Sequence, residues 1–325
     1  MIEWMQNNQE MRDCMKLYMA PLEGITGYTY RNAYHTYFAP ADKYFTPFLT
    51  PHTKRSFNAR ERKDLIPEHN QGMYLVPQVL TKSAEDFVMI AGKMKEFGYQ
   101  ELNLNAGCPS GTVASKGRGA GLLEDVKVLD NLLAGIFTAT DIKVSVKTRL
   151  GMDAPEEFYD ILEVYNKYPL EELIIHPRVR EDYYKNQPNY EMFSYALTHS
   201  TNPVVYNGDL FTIQDVEHFC ARFPQVDTLM LGRGLIGNPG LIGQIRGQAR
   251  MDKKTLLAFH NRLVEAYNQE VSGDKNVLYK MKELWFYMGN YFTNPEKYMK
   301  RIKKTNSLDE YRIAVEELFH KEELV

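Results

Sequence analysis

Apolar residues along the chain recur in two rhythms. Short runs that are apolar throughout or alternate with a period of two fall at 16–21, 44–45, 73–78, 102–105, 144–147, 173–176, 204–207 and 228–231. These predict strands. Between them, stretches with helical spacing fall at 28–37, 83–97, 126–137, 155–168 and 212–223. Gly98 closes the second of these, and Pro155 sits at the start of the fourth, as helix ends favour. Strand and helix signals alternate about eight times over roughly 235 residues, which predicts a parallel sheet closed into a (β/α)8 TIM barrel. From Met251 onward only helical spacing remains. Leu256, Phe259, Leu263 and Tyr267 share one face, and Ser307 with Glu310 reads as a capping box ahead of 311–319. The organisation expected is an N-terminal extension at 1–14, a barrel at 15–250 and a separate all-helical domain at 251–325.

A barrel of this kind builds its active site at the C-terminal ends of its strands. Polar or special residues recur there: Pro21, Gln78, Asn105, Lys147, His176, Asn207 and Arg233. Any one of them suits an ordinary loop; their recurrence at one edge is the signal. Gly232 to Gly237 also matches G-x-G-x-x-G. A dinucleotide fold would need that motif early, with a later strand carrying an acidic residue. Here it comes late, and Asn238-Pro239 interrupts it. A phosphate site in the last turns of a barrel fits better.

The most specific stretch is ELNLNAGCPSGTVASKGRGAGLLED, residues 101–125. Gly107 admits a turn that a larger residue resists, and Pro109 fixes the backbone beside Cys108. Cys108 is therefore expected just past a strand end. Gly111, Gly117, Gly119 and Gly121 follow, with Lys116 and Arg118 among them, a composition that could approach an anionic ligand. A lone cysteine in a tight turn also suits a buried structural role; the flanking asparagines and glycines favour a functional one.

Bulk composition narrows the setting. The chain has 325 residues, is 44% hydrophobic and 25% charged, and carries a net charge of −3. Those are the values of a globular protein with a sizeable core, and they are not those of a nucleic-acid polycation. RNA binding would need local basic patches, for which 54–63 and 297–304 are the candidates; each also suits a solvated face. Three widely spaced cysteines, Cys14, Cys108 and Cys220, lack metal-ligand spacing and favour a reducing cytoplasm. No apolar run is long enough for a membrane span, and the first ten residues lack the apolar core of a signal peptide.

The motif Asn103-x-Asn105-x-Gly107-Cys108-Pro109, with Val113, the glycines and Leu122-Leu123, resembles the signature of the tRNA-dihydrouridine synthases. The resemblance implies an FMN enzyme that reduces the C5=C6 bond of uridines in tRNA at the expense of NADPH or NADH. It implies Cys108 as the general acid that protonates C5. It implies an FMN site lined by Met19, Ala20, Pro21, Gln78, Lys147, His176, Asn207, Gly208, Asp209, Gly232 and Arg233. Lys147 would face the flavin N1 and C2=O edge, and Asn105 and Arg178 would serve the substrate. The helical region would grip tRNA through its basic cluster, with no obligate protein partner and no metal. A dihydroorotate-dehydrogenase-like FMN oxidoreductase would share the phosphate site and a cysteine. A non-catalytic RNA-binding protein on a barrel frame is the alternative outside enzymes.

Overall fold

The computed structural model describes residues 15–51 and 57–325. The expected extension at 1–14, Cys14, and Lys54 and Arg55 of the first basic stretch lie outside the described residues. The strands are β1 (Lys16–Met19), β2 (Lys43–Phe45), β3 (Leu75–Val76), β4 (Gln78–Val79), β5 (Glu101–Ala106), β6 (Lys143–Thr148), β7 (Leu173–Ile175), β8 (Val204–Tyr206) and β9 (Thr228–Leu231). They form one sheet of order β3-β2-β1-β9-β8-β7-β6-β5-β4, and every pairing in it is parallel. Its two ends, β3 and β4, are consecutive segments divided by Pro77, which has no N–H to donate. The expected third strand at 73–78 is therefore one barrel strand broken at Pro77. Leu49 pairs with Val79, its N–H meeting the Gln78 carbonyl at 2.7 Å, and this closes the ring.

The principal helices are α1 (Tyr28–Tyr37), α2 (Ala84–Glu96), α3 (Val126–Ala139), α4 (Phe158–Tyr165), α5 (Tyr190–His199), α6 (Ile213–Arg222), α7 (Lys253–Glu270), α8 (Asp274–Met288), α9 (Glu296–Lys304) and α10 (Leu308–Lys321). Ser83, Asp125, Asn189 and Thr212 cap α2, α3, α5 and α6 with side-chain acceptors. Ser307 caps α10, but the Glu310 carboxylate reaches back to Asn306 and not to Ser307. The Gly232–Gly237 segment lies after β9, which sits between β1 and β8 in the closed sheet, so the dinucleotide-fold topology is absent.

Strand alternation divides the core. Leu17, Met19, Tyr44, Leu173, Ile175 and Leu231 pack outward against the helices. Tyr18, Phe45, Val76, Ile174, Val205 and Met230 form a second cluster, which by parity fills the lumen. The helical region shares the larger cluster: Phe259 of α7 meets the rings of Tyr30, Tyr37 and Phe38 at 5.7, 6.3 and 5.0 Å. The helices expected as a separate domain are thus packed on the barrel through one continuous core. No described helix is long and apolar enough to cross a membrane.

Candidate active site

A polar column climbs one side of the lumen towards Cys108. It begins at the N-terminal mouth, where the Lys43 ammonium bridges Glu101 at 2.8 Å and Glu172 at 3.0 Å. The Ser145 hydroxyl donates to Glu101 (2.9 Å), the Asn103 amide to Ser145 (3.0 Å), the Gln78 amide to Asn103 (2.8 Å), and the Asn105 amide to Gln78 (2.8 Å). Each buried amide fixes the orientation of the next. At the top, Asn105 Oδ1 accepts the backbone N–H of Gly107 (3.1 Å) and of Cys108 (2.9 Å). Asn105 and Gln78 both line the groove, yet most of their hydrogen-bonding capacity is spent on holding the cysteine turn.

Close approach favours glycine at 107. A Cβ on it would lie 3.2 Å from the Thr148 carbonyl carbon in β6. The later glycines have a similar task. A Cβ on Gly119 would meet the Cβ of Cys108 at 2.9 Å, and one on Gly121 would meet the Ala114 carbonyl oxygen at 2.3 Å. The segment 111–124 folds into two short helical turns behind the cysteine, and neither Lys116 nor Arg118 lines the groove. Gly119 lets the loop pack onto Cys108, and Gly121 lets it fold back on Ala114.

The groove crosses the C-terminal mouth of the barrel. One end is lined by Pro21, Gln78, Asn105, Cys108, Lys147 and His176. The other is lined by Ala20, Asn207, Gly208, Asp209, Gly232 and Arg233, and Pro21, Lys147 and His176 are common to both. Two expected residues fall outside it. The Met19 side chain belongs to the outer core, because its neighbours Tyr18 and Ala20 take the lumen side. Arg178 is 1% exposed and its donors go to protein. It bonds the Asn186 carbonyl (2.6 Å), His176 Nε2 (2.8 Å) and both Asp209 carboxylate oxygens. Arg178 therefore orients His176 and Asp209 at the edge of the groove.

Electrostatics follow from this packing. Burial pushes the Cys108 thiol up, against the opposing pull of the Ser110 N–H and the Arg149 and Lys147 cations. Burial, aided by Arg149, pushes the Lys147 ammonium down to about 7. The Lys147 side chain makes no hydrogen bond or ion pair among the described residues. His176 is held neutral, first by burial and then by the cations of Arg149, Lys147, Arg178 and Arg233. Since Arg178 can only donate, Nε2 is the acceptor and Nδ1 carries the proton. Asp209 takes both Arg178 and, at 2.6 Å, Arg233, which leaves one positive charge in excess.

A model of the dihydrouridine synthase family matches residues 18–324. The chain belongs to the dihydrouridine synthase family. It is 25% identical over 314 residues to a tRNA-dihydrouridine(16) synthase of Yersinia pestis, covering 94% of this chain and 99% of that one. A probable tRNA-dihydrouridine synthase of Helicobacter pylori is 30% identical over 232 residues, 69% of this chain and 68% of the relative. The fold is also similar to that of morphinone reductase, solved in complex with tetrahydroNAD, with a TM-score of 0.53, 13% identity, and coverage of 74% of this chain and 89% of that one.

Several residues of this synthase-family groove escaped the sequence reading. Arg149 is 1% exposed and ties the cysteine turn to the β7–α5 loop, donating to the carbonyls of Gly107 (3.1 Å), Val179 (2.8 Å) and Tyr183 (2.7 Å). Tyr184 lines both ends of the groove, with the Arg233 guanidinium 4.4 Å from its ring centre. Glu283 and Tyr287 come from α8, more than a hundred residues from the motif, and no local pattern marks them. Arg149 had a signal, since it stands two residues after Lys147 at the end of β6.

Proposed function

We propose that the protein reduces the C5=C6 bond of uridines in tRNA with FMN as cofactor, NADPH or NADH as reductant, and Cys108 as proton donor. The observation that carries this reading is that the Cys108 thiol and the unpartnered amino group of Lys147 line one end of a single groove.

The residues present suit FMN. At the far end of the groove, the backbone N–H groups of Gly208, Asp209, Arg233 and Gly234 have no partner among the described residues. Beside the excess positive charge at Asp209, such an array binds a phosphate. The turns need their glycines: a Cβ on Gly234 would lie 2.0 Å from the Leu210 carbonyl oxygen. Lys147 and the Nδ1–H of His176 offer donors to the electron-rich edge of a flavin. When bound, FMN supplies the hydride that adds to the conjugated C6 of uracil.

The chain's own work is to hold the base and deliver a proton to C5. A thiol of unperturbed pKa about 8.5 is mostly protonated at neutral pH, and burial raises that of Cys108 further. The role of general acid fits this direction; a nucleophilic thiolate would need the opposite one. Asn105 and Arg149 hold the turn that carries the thiol. The helical region adds cations for the RNA backbone.

Purified protein is expected to carry FMN. Cys108→Ala should retain it and retain reduction by NADPH, while dihydrouridine formation in a single turnover falls about 10²–10⁴-fold. Full-rate turnover in that variant removes Cys108 from the mechanism, and a protein that takes up no flavin removes the enzyme reading. Activity on free orotate in place of tRNA would favour the dihydroorotate-dehydrogenase-like alternative. Mapping dihydrouridine in tRNA from cells lacking the protein identifies the target position, starting at 16, where the Yersinia relative acts by name.

A further inference from the structure

The two most exposed large apolar or aromatic side chains among the described residues are Phe286, at 72%, and Tyr279, at 71%. Both lie on α8, seven positions apart. That spacing puts them on one face, about 10 Å apart along the axis. The same helix sends Glu283 and Tyr287 into the catalytic groove, and the Phe286 ring stands edge-on to Tyr287 with centres 5.1 Å apart. The aromatic face is thus continuous with the mouth through which a target base reaches Cys108.

Its outer flank is cationic, while Glu283 stands between the two rings towards the groove. Lys275 is exposed one turn before Tyr279. The Lys282 ammonium donates to the Thr305 carbonyl at 2.6 Å, which brings the basic end of α9 alongside the face. There Lys303 and Lys304 are exposed and make no ion pair among the described residues. Solvated aromatic rings flanked by unpaired lysines match an unpaired nucleic-acid strand, whose bases stack and whose phosphates take the cations. A protein partner would favour a broader apolar patch with fewer charges at its centre.

We propose that Tyr279 and Phe286 form a stacking platform for unpaired bases next to the nucleotide that enters the groove. This rests on the reading of the protein as an enzyme acting on tRNA, and it adds the means by which the loop around the target is held open.

The test uses the full-length flavoprotein and unmodified tRNA transcript. Wild type is first shown to form dihydrouridine; if it does not, the enzyme reading falls, and this inference with it. Tyr279→Ala and Phe286→Ala should each weaken tRNA binding by roughly 5- to 150-fold, as loss of one stacked base does. The salt dependence of binding and the reduction of flavin by NADPH should be unchanged. Phe286→Trp and Tyr279→Phe should keep wild-type affinity. Lys303→Glu should instead lower the salt slope, by about one for each lost phosphate contact. A double alanine variant that binds and turns over like active wild type overturns the platform and leaves the enzyme reading intact. So does a change in oligomeric state on sedimentation of the RNA-free variant, which would make this face a contact between copies.

Discussion

The Lys147 amino group is buried in the groove with no side-chain partner among the described residues. Burial pushes its ammonium from 10.5 down to about 7 in the ligand-free protein. Between those values the unfolded chain holds a proton that the folded chain has released. Stability contributed by this group therefore rises with pH across that window and is lowest below it. Lys147→Met is expected to raise the melting temperature of FMN-free protein at neutral pH and to flatten its dependence between pH 7 and 10. It should also weaken FMN binding about 10- to 100-fold, the worth of a hydrogen bond to a charged group. Melting curves and flavin titrations check both; a parallel pH profile for variant and wild type would show that Lys147 is not the strained group. Residues such as Cys108 and Lys147 were legible because a strand end in a barrel has a known address. The outward side chain of Met19 follows from its parity with Tyr18 and Ala20, which was available in the sequence. Arg178 lies past the end of β7, where parity no longer says which way a side chain turns.

At the scale of elements, most strands and helices could be read because each buries one face and shows it as a period. The losses have physical causes. The break at Pro77 follows from a missing donor and was hidden inside an apolar run. Helix α5 buries only Met192, Phe193 and Ala196, too few to stand out beside its other aromatic residues. Loop glycines were read as permissive, whereas several are demanded by contact, and two of the chain's glycines give opposite predictions. Gly92 lies in α2 with nothing within 4 Å of a new Cβ, so Gly92→Ala should stabilise by about 1 kcal/mol. Gly121→Ala places a methyl 2.3 Å from a backbone oxygen and should destabilise by about 1–3 kcal/mol, with loss of turnover as the loop shifts from Cys108. Urea unfolding of the pair checks the contrast; equal midpoints would mean that the loop yields freely.

The whole molecule behaves as one unit if its core is one. The sequence shows a change of pattern at 251 and suggests a boundary; it cannot show that the outer faces of α1 and α7 meet. In the structure, Phe259 is fully buried in a nest of aromatic rings from α1 and the residue that follows it. That seam has a functional load, since Glu283 and Tyr287 line the groove only while the helices stay docked on the barrel. Lys280 adds a second tie, its ammonium 2.7 Å from the carbonyl of Gly24 in the loop after β1. Phe259→Ala removes a ring that bridges both parts and should cost about 3–5 kcal/mol. Because the cluster is shared, the loss should appear as one cooperative transition shifted to lower denaturant, with helix signal and flavin release moving together. Two separated transitions, the helices melting first while the barrel retains flavin, would instead describe independent domains, and the variant would then bind FMN normally while losing tRNA.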